Sequence, residues 1–266
     1  MEHNTKDRFC DSLSIPCMMH QHWSQIGTQP MHADADPKEV IKFNGIARSY
    51  WDLEGPMRAL HQMNPLRIDF TESFEPLRDT EVLDVGCGGG LAAEALAKRG
   101  ARVTAIDASP EMLRVAQLHA AESQIVIDYQ QITADALAET SAGRFDVVTC
   151  FEMIEHVPDP ASTLQSIARL VRPGGHLILS TINRTPIAYL GAVVAAEYLL
   201  NWVPKGTHDY QRFLKPSEIA AMIRPCGLDV VAIEGVVFQP LYQQFKRSTR
   251  DLQINYQLAA RKTAHG

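Results

Sequence analysis

The sequence predicts an α/β fold in which a mostly parallel sheet of seven strands carries helices on both faces. Short apolar runs alternate with helical patterns from Glu81 onward, as they do when parallel strands are joined by helical crossovers. The run EVLDVG leads directly into a glycine cluster at 86 and 88–90, and a helical pattern follows. This order of elements is typical of a nucleotide-type pocket. No long crossover separates the last strands, so we expect an antiparallel pair at the end of the sheet.

The elements follow in order along the chain. A first helix begins with Asp36 as its cap and Pro37 at its first position, and the glycine- and proline-containing segment 51–67 is predicted as mostly loop. The predicted strands are EVLDVG, ARVTAID, IVIDYQQ, RFDVVTCFEM, HLILSTIN, LDVVAIEGVVF and INYQLAARK. The predicted helices are LAAEALAKRG, SPEMLRVAQLHAAES (capped by Ser109), DPASTLQSIARLVRPGG and KPSEIAAMIRPCG, with a helical insert at 183–212 between strands five and six.

The composition bounds the class of protein. A chain of 266 residues suits one α/β domain with attachments or two small domains. Its apolar fraction of 45% and charged fraction of 21% are ordinary for a soluble globular protein. The formal net charge of −6 gives no basic field that would attract nucleic acid. The 5 cysteines form no CxxC pair, which favours reduced thiols over a disulfide framework or a zinc site.

The first 35 residues differ from the rest. They are polar, lack a sustained apolar period and lack the apolar core of a secretory signal. We predict a disordered tail or an over-long start, with Met31 as the plausible initiator, followed by one domain over 36–266. His20, His22 and His32 are candidate metal ligands, but surface histidines are the favoured interpretation because no rigid scaffold orients them.

The glycine cluster indicates which kind of nucleotide is bound. A dinucleotide fingerprint that starts at Gly86 would need its third glycine where Leu91 stands, and no G-K-[ST] motif follows. The pattern that fits is D-x-G-x-G-x-G, from Asp84 to Gly90, whose bare amides are able to contact a carboxylate-bearing ligand. Asp107 ends the second strand, where an acid accepts the hydroxyls of a ribose. A capping role for Asp107 is less favoured because Ser109 already serves as the cap.

The Asp84 and Asp107 positions and the G-x-G-x-G spacing together resemble class I S-adenosylmethionine-dependent methyltransferases. Further blocks are similar to the ubiquinone biosynthesis O-methyltransferase family: YWDLEGPMRALHQMNPLR, FDVVTCFEMIEHVPDP, LVRPGGHLILSTINR and AAEYLLNWVPKGTHDY. The resemblance covers roughly 36–262. It implies a Rossmann-like fold, the cofactor S-adenosylmethionine, and methylation of ring hydroxyls on polyprenylated catechol or demethylubiquinol intermediates.

The resemblance also assigns cofactor-binding positions. An arginine is able to pair with the methionyl carboxylate through two hydrogen bonds, and an aromatic ring face suits a sulfonium, although simple core packing is the alternative for the phenylalanine. Thr133 and Asp135 follow strand three and are candidates for the adenine edge. The cofactor-binding positions that the resemblance implies are Arg67, Gly86, Gly88, Asp107 and Phe151.

The block FEMIEHVPDP follows strand four and is the predicted catalytic centre. Glu152, Glu155 and His156 have i, i+3, i+4 spacing, so a helical turn would place them on one face. In one interpretation His156 or Glu155 is the general base for the ring hydroxyl. In the other, the three residues hold a divalent ion such as Mg²⁺ or Zn²⁺, as the resemblance to mitochondrial members implies. Solvated glutamates and a turn-capping histidine are the structural alternative, and His208 and Asp209 are further candidates for substrate contact.

The insert predicts an apolar partner. Residues 187–196 carry no charge, but Glu197 interrupts a run that is too short for a membrane span. A core helix is one interpretation; the favoured one is an interfacial lid over 186–205 that meets a polyprenyl tail and the membrane surface. Trp202, Lys205 and Arg184 would then lie at headgroup level. We therefore expect a cytoplasmic protein peripherally bound to the inner face of the membrane, with other ubiquinone-pathway enzymes as candidate partners.

Three other functions fit the sequence less well. The first is methylation of another phenolic or lipid acceptor, and the second is a cofactor-binding, membrane-docked assembly protein, against which the intact acid and histidine block argues. The third, an NAD-dependent oxidoreductase, is disfavoured by the failed dinucleotide spacing.

Overall fold

The structure, a computed structural model, describes residues 36–190 and 209–264. The predicted tail with its three histidines lies outside these residues, as do Trp202, Lys205 and His208. Within the described residues, no helix is both long enough and apolar enough to cross a bilayer.

A mixed sheet of eight strands forms the centre of the described chain, in the order β3-β2-β1-β4-β5-β8-β6-β7 once the strands are numbered along the chain. The first five strands are parallel, whereas β8 runs antiparallel to both β5 and β6. The strands are β1 (Glu81–Val85), β2 (Arg102–Ile106), β3 (Asp128–Gln130), β4 (Phe145–Phe151), β5 (Val171–Ile182), β6 (Leu228–Gln239), β7 (Gln244–Ser248) and β8 (Asn255–Lys262).

The predicted fold class is confirmed, including the antiparallel end of the sheet, but the predicted count of seven strands is wrong. The additional strand, β7, forms a hairpin with β6, in which Gly235 is opposite Ser248. Its sequence, QFKRS, has a single apolar residue and therefore gives no clear strand signal. Pairing with β6 makes it a strand at the edge of the sheet.

The described helices are α1 (Pro37–Ile46), α2 (Arg58–Glu72), α3 (Leu91–Lys98), α4 (Pro110–Glu122), α5 (Ala134–Ser141), α6 (Pro160–Leu170), α7 (Pro186–Ala188) and α8 (Pro216–Ile223). Two caps were predicted correctly: Asp36 accepts from the amide of Lys38, and Ser109 accepts from the amide of Met112. The short α7 and the 3₁₀ turn Tyr210–Arg212 are the described parts of the predicted insert.

The loop predicted for 51–67 is wrong over its second half, because α2 continues through Pro65. Proline removes one helical hydrogen bond, the one to the carbonyl four residues earlier. The buried side chains of Met63, Ile68 and Phe70 compensate by anchoring one face of α2 in the core. Helix α5 was not predicted, although its buried residues Ala134, Leu137 and Ala138 recur at helical spacing.

The core lies on both faces of the parallel strands. In β1, Leu83 and Val85 pack in one hydrophobic cluster and Val82 packs in another. Helices α5, α6 and α8 cover the first face, and α2 and α3 cover the second. Because both faces are closed, the carboxyl edge of the sheet is where a ligand gains access to the strand ends.

Candidate active site

A cavity opens at the carboxyl edge of the parallel strands. The ends of β1, β2 and β4 form its floor, and α1 contributes Asp36, Glu39 and Val40 to its wall. The predicted site residues that line it are Gly86, Gly88, Asp107, Thr133, Phe151, Glu152 and His156.

The loop between β1 and α3 needs its glycines for two reasons. Gly86 has a φ of +70°, a conformation that costs an L side chain energy, and a methyl group there would lie 2.3 Å from Cγ of Met153. A methyl group at Gly89 would lie 2.3 Å from Cδ1 of Tyr50. The sequence predicted the positive φ and close approach by a ligand. The structure adds that two of the chain's own side chains, Met153 and Tyr50, close on the loop.

Trp51 braces this loop from outside. Its indole Nε1 donates to the carbonyl of Gly89 at 3.0 Å, and its ring stacks on His119 with centroids 3.4 Å apart and planes 3° apart. Nδ1 of His119 lies 2.6 Å from Oε1 of the buried Glu94. These contacts fix the position of the loop backbone. Sequence reasoning missed them, although the Y-W-D-L-E-G block containing Trp51 was noted.

Asp107 faces the glycine loop as predicted. Its Oδ2 accepts from the amide of Gly88 and its Oδ1 accepts from the amide of Ser109, both at 2.8 Å. Burial raises the pKa of the Asp107 carboxyl, while these amide hydrogen bonds act in the opposite direction. A carboxylate oxygen has more than one lone pair, so both oxygens retain capacity to accept from a ligand hydroxyl.

Arg67 lies behind the cavity and is not among the residues that line it. Its Nη2 is 2.9 Å from Oε1 of Glu152, and its guanidinium carbon lies 5.6 Å from the centroid of the Phe151 ring. Its Nε is buried without a hydrogen-bond partner. The cation nearest the Phe151 ring in the described residues is therefore an arginine.

Glu152 stands in a strained backbone conformation at the end of β4. Its φ is +49°, which is unfavourable for a residue with a side chain and is often found at functional sites. Besides Arg67, its carboxylate accepts from Ser180 Oγ at 2.7 Å and from Asn255 Nδ2 at 3.4 Å. Contacts from α2, β5 and β8 thus hold Glu152 in this strained conformation.

Glu155 turns away from the cavity. Its side chain is 4% exposed, and its Oε2 accepts from Thr181 Oγ1 at 2.8 Å. Burial, and then the negative charge of Glu152, raise the pKa of Glu155 to about 7. It is not among the residues that line the cavity, so it has no direct access to a substrate hydroxyl.

His156 faces the cavity and is paired with a residue that the sequence did not indicate. Its Nδ1 lies 3.0 Å from Oε2 of Glu39 on α1. The hydrogen bond from His156 is the largest of the causes that lower the pKa of Glu39 to about 2, so Glu39 is ionised at neutral pH. Lys42, one turn further along α1, is also 3.2 Å from this carboxylate.

The structure does not bring Glu152, Glu155 and His156 together on one helical face, so a metal ion at this block stays a prediction. The 3₁₀ turn spans Ile154–His156, so Glu152 lies outside it and the three side chains do not share one helical face. Each has a separate partner, Arg67, Thr181 and Glu39 respectively. Across 36–190 and 209–264, no three or more His, Cys, Asp or Glu side chains group as metal ligands.

Three other candidates have local partners. Asp135 accepts from the Thr133 hydroxyl and is not among the lining residues, whereas Thr133 is. Asp209 caps a 3₁₀ turn by accepting from the amide of Gln211. Arg184, predicted at headgroup level, donates to Glu218.

Comparison with known proteins identifies the family. A methyltransferase-domain family model matches residues 59–233. A ubiquinone biosynthesis O-methyltransferase from Cupriavidus pinatubonensis (strain JMP 134 / LMG 1197) is 48% identical, with 89% of this chain and 94% of the relative covered. One from Azotobacter vinelandii (strain DJ / ATCC BAA-1303) is 49% identical, covering 85% and 97%. The chain belongs to the ubiquinone biosynthesis O-methyltransferases.

Solved structures agree with this fold. Magnesium protoporphyrin IX methyltransferase from Synechocystis PCC 6803, with bound S-adenosylhomocysteine, matches with a TM-score of 0.62 at 20% identity, covering 84% of this chain and 95% of that one. A possible histamine N-methyltransferase from Thermotoga maritima matches with a TM-score of 0.61 at 16% identity, covering 85% and 99%. A ubiquinone biosynthesis O-methyltransferase is an S-adenosylmethionine-dependent enzyme.

The residues present fit that cofactor. The backbone at Gly86 and Gly88 is bare where it faces the cavity, and the acid of β2 is aimed at the same space. The unpartnered Nε of Arg67 is an additional buried donor close to Phe151. Such unmatched donors are costly without a partner, and a bound carboxylate would supply one.

Proposed function

We propose that this ubiquinone biosynthesis O-methyltransferase transfers a methyl group to a ring hydroxyl of a polyprenylated catechol or demethylubiquinol, and that the described cavity is the place of reaction. One observation carries the proposal: a single cavity is lined by the glycine loop, by Asp107 and by His156. Relatives that the chain covers almost completely are named for O-methylation in ubiquinone biosynthesis, which supports this acceptor class.

S-adenosylmethionine, when bound, supplies a methyl group already activated by a sulfonium. In our proposal Asp107 accepts the ribose hydroxyls, and the backbone at Gly86 and Gly88 approaches the cofactor closely. Phe151 offers a ring face to the sulfonium. Arg67 neutralises Glu152, and its unpartnered Nε would be a donor for the methionyl carboxylate. Thr133 lies where it would meet the adenine edge.

His156 is the residue we assign as general base. It lines the cavity, whereas Glu155 is buried against Thr181 and Glu152 is held by Arg67. His156 accepts the proton that the ring hydroxyl loses as its oxygen gains the methyl group. Glu152 and Glu155 support the block through Ser180 and Thr181, on neighbouring β5.

The test is a methyl-transfer assay with demethylated quinol and catechol acceptors. We expect His156→Gln to lose about 100-fold or more in kcat, in line with general-base contributions, with affinity for S-adenosylhomocysteine unchanged. Glu111→Gln, at an exposed position in the first turn of α4, is the control for a single amide substitution. Turnover of the His156→Gln enzyme at the control's rate would remove His156 from the chemistry.

A divalent cation would need a different arrangement of Glu152, Glu155 and His156. For Glu152, Glu155 and His156 to bind an ion together, all three would have to exchange their present partners for it, and Glu155 would have to leave its buried site. The three side chains as they stand do not fit an ion. Turnover measured after EDTA treatment and again after Mg²⁺ addition decides whether an ion acts here.

We also propose that residues 186–205 contact the membrane surface, placing the enzyme at the inner face of the cytoplasmic membrane, where other ubiquinone-pathway enzymes are candidate partners. The start of this segment supports the proposal, because Ile187, Tyr189 and Leu190 are exposed apolar side chains. We expect the protein to float with anionic liposomes, and Ile187→Ser with Leu190→Ser to reduce that binding. The matched control is Leu118→Ser with Val126→Ser, two exposed positions away from this segment. Failure of the wild type to float would refute the proposal.

A further inference from the structure

We propose that Glu39 is a positioning residue that orients His156 for proton transfer, so that α1 contributes to the chemistry as well as to the cavity wall. This inference rests on the proposed role of His156. Glu39 comes from a helix 117 positions earlier in the chain. It lies outside every sequence block that indicated the activity.

Glu39 and His156 are in direct contact at the wall of the cavity. Oε2 of Glu39 lies 3.0 Å from Nδ1 of His156, and both residues line the cavity. The side chain of His156 is 14% exposed and that of Glu39 is 21% exposed, so water only partly screens the pair. A surface ion pair of long side chains would contribute little. This pair is short, partly buried and located at the reaction cavity.

The charge of Glu39 determines which ring nitrogen of His156 carries the proton. The pKa of Glu39 lies at about 2, so its carboxylate is ionised and accepts hydrogen bonds without donating any. Nδ1 must therefore be the donor in the hydrogen bond between them. In the neutral ring the lone pair is then on Nε2, the nitrogen that takes a proton in a carboxylate–histidine pair.

Contacts from Arg212 hold Glu39 and His156 in place. Arg212, the last residue of the predicted insert, binds Asp36 Oδ2, at the start of α1, at 3.1 Å and lies 3.8 Å from Glu39 Oε1. Its Nη1 also donates to the carbonyl of His156 at 3.5 Å. One guanidinium thus spans the helix and the catalytic turn. Among the described residues, the charged groups near His156 include Glu39 and Arg212 from other elements and Glu155 from its own block.

The experiment compares Glu39→Gln with wild type. Glutamine keeps the size of the side chain but loses the charge that fixes the tautomer. We expect kcat to fall about 10- to 100-fold, with the KM for the acceptor and the affinity for S-adenosylhomocysteine within about twofold. Glu39→Asp should recover part of the loss. Glu111→Gln is the control and should keep wild-type kcat.

A second readout separates positioning from a structural role. ¹⁵N NMR of histidine-labelled protein, with His156 assigned from the signal missing in His156→Gln, reports which ring nitrogen is protonated. We expect the Nδ1-protonated form in wild type and a mixture of tautomers in Glu39→Gln, at equal melting temperature. Glu39→Gln with wild-type kcat and an unchanged His156 signal would overturn the inference.

The outcomes also distinguish this inference from the proposed function. If His156→Gln is inactive while Glu39→Gln is fully active, the base assignment stands and the role of Glu39 is refuted. If His156→Gln retains full turnover, the base assignment fails first and the inference fails with it. Loss of kcat in both variants, with the tautomer shift in Glu39→Gln, supports both.

Discussion

Replacing Gly86 by alanine tests the cofactor site directly, because the structure separates two costs of that methyl group. The first is conformational: at a φ of +70° an L side chain costs about 1–2 kcal/mol. The second is steric: the methyl carbon would lie 2.3 Å from Cγ of Met153 and 2.8 Å from its Cβ. Overpacking of this kind costs about 1–3 kcal/mol. We therefore expect Gly86→Ala to lower the free energy of unfolding by about 2–5 kcal/mol.

Gly143→Ala is the matched control. Gly143 also has a positive φ, +65°, but a methyl group there meets nothing within 4 Å. It should show the conformational cost alone, about 1–2 kcal/mol, and leave the cofactor site unchanged. The second variant, Gly86→Ala with Met153→Ala, removes the contact with Cγ of residue 153, while the contact with its Cβ and the conformational cost remain.

Two assays measure the effects of these substitutions on stability and on cofactor binding. Urea denaturation measures the free energy of unfolding, and calorimetric titration with S-adenosylhomocysteine measures Kd. Because Met153 and Gly86 both line the cavity, we expect Gly86→Ala to weaken binding by about tenfold or more, equivalent to about 1.4 kcal/mol, and the double variant to recover part of this. Wild-type affinity in Gly86→Ala would refute the assignment of the loop as the cofactor cradle.

Three other predictions follow from the same contacts. Asp107→Ala leaves the amides of Gly88 and Ser109 without their acceptor, so titration should show S-adenosylhomocysteine affinity lower by about tenfold or more; an unchanged Kd would contradict the ribose assignment. Trp51→Phe removes the Nε1 donor to Gly89 but keeps an aromatic ring beside His119, so affinity should fall about fivefold, as loss of about 1 kcal/mol predicts; no change would mean that the indole does not hold the loop. Burial raises the pKa of Asp84 from 3.8 to about 7, so the folded state favours the protonated acid. Its stabilising contribution is complete below about pH 4, declines as the pH rises to about 7 and is constant above that. Relative to Asp84→Asn, urea denaturation should show the wild type losing up to about 4 kcal/mol over this range, at about 1.4 kcal/mol per pKa unit; parallel pH profiles would disprove the shift.

The parts of the site that the sequence predicted are those encoded by neighbouring residues. Asp107 was found because an acid at the end of a parallel strand has one direction available to it, toward the carboxyl edge. Gly86 was found because glycine after a buried strand indicates positive φ. Both predictions depend on backbone geometry within a few residues, and the structure has both features.

The missed parts depend on contacts between distant segments. Trp51 reaches Gly89 across 38 positions and Glu39 reaches His156 across 117, and no local pattern encodes either distance. In the block FEMIEHVPDP, spacing alone was insufficient even between near neighbours. A spacing of i, i+3, i+4 predicts one face only if the turn is α-helical, and the positive φ of Glu152 breaks that geometry.

The sequence by itself determined the α/β class, seven of the eight described strands, the glycine loop and the acid facing it, because hydrophobic periodicity and backbone conformation are local properties. The tertiary structure alone decided which partner each charged side chain has: Arg67 for Glu152, Thr181 for Glu155 and Glu39 for His156. A buried or half-buried charge must find a partner among the groups that packing brings within about 3 Å. The packing of α1, α2 and β5 around this block supplies those partners.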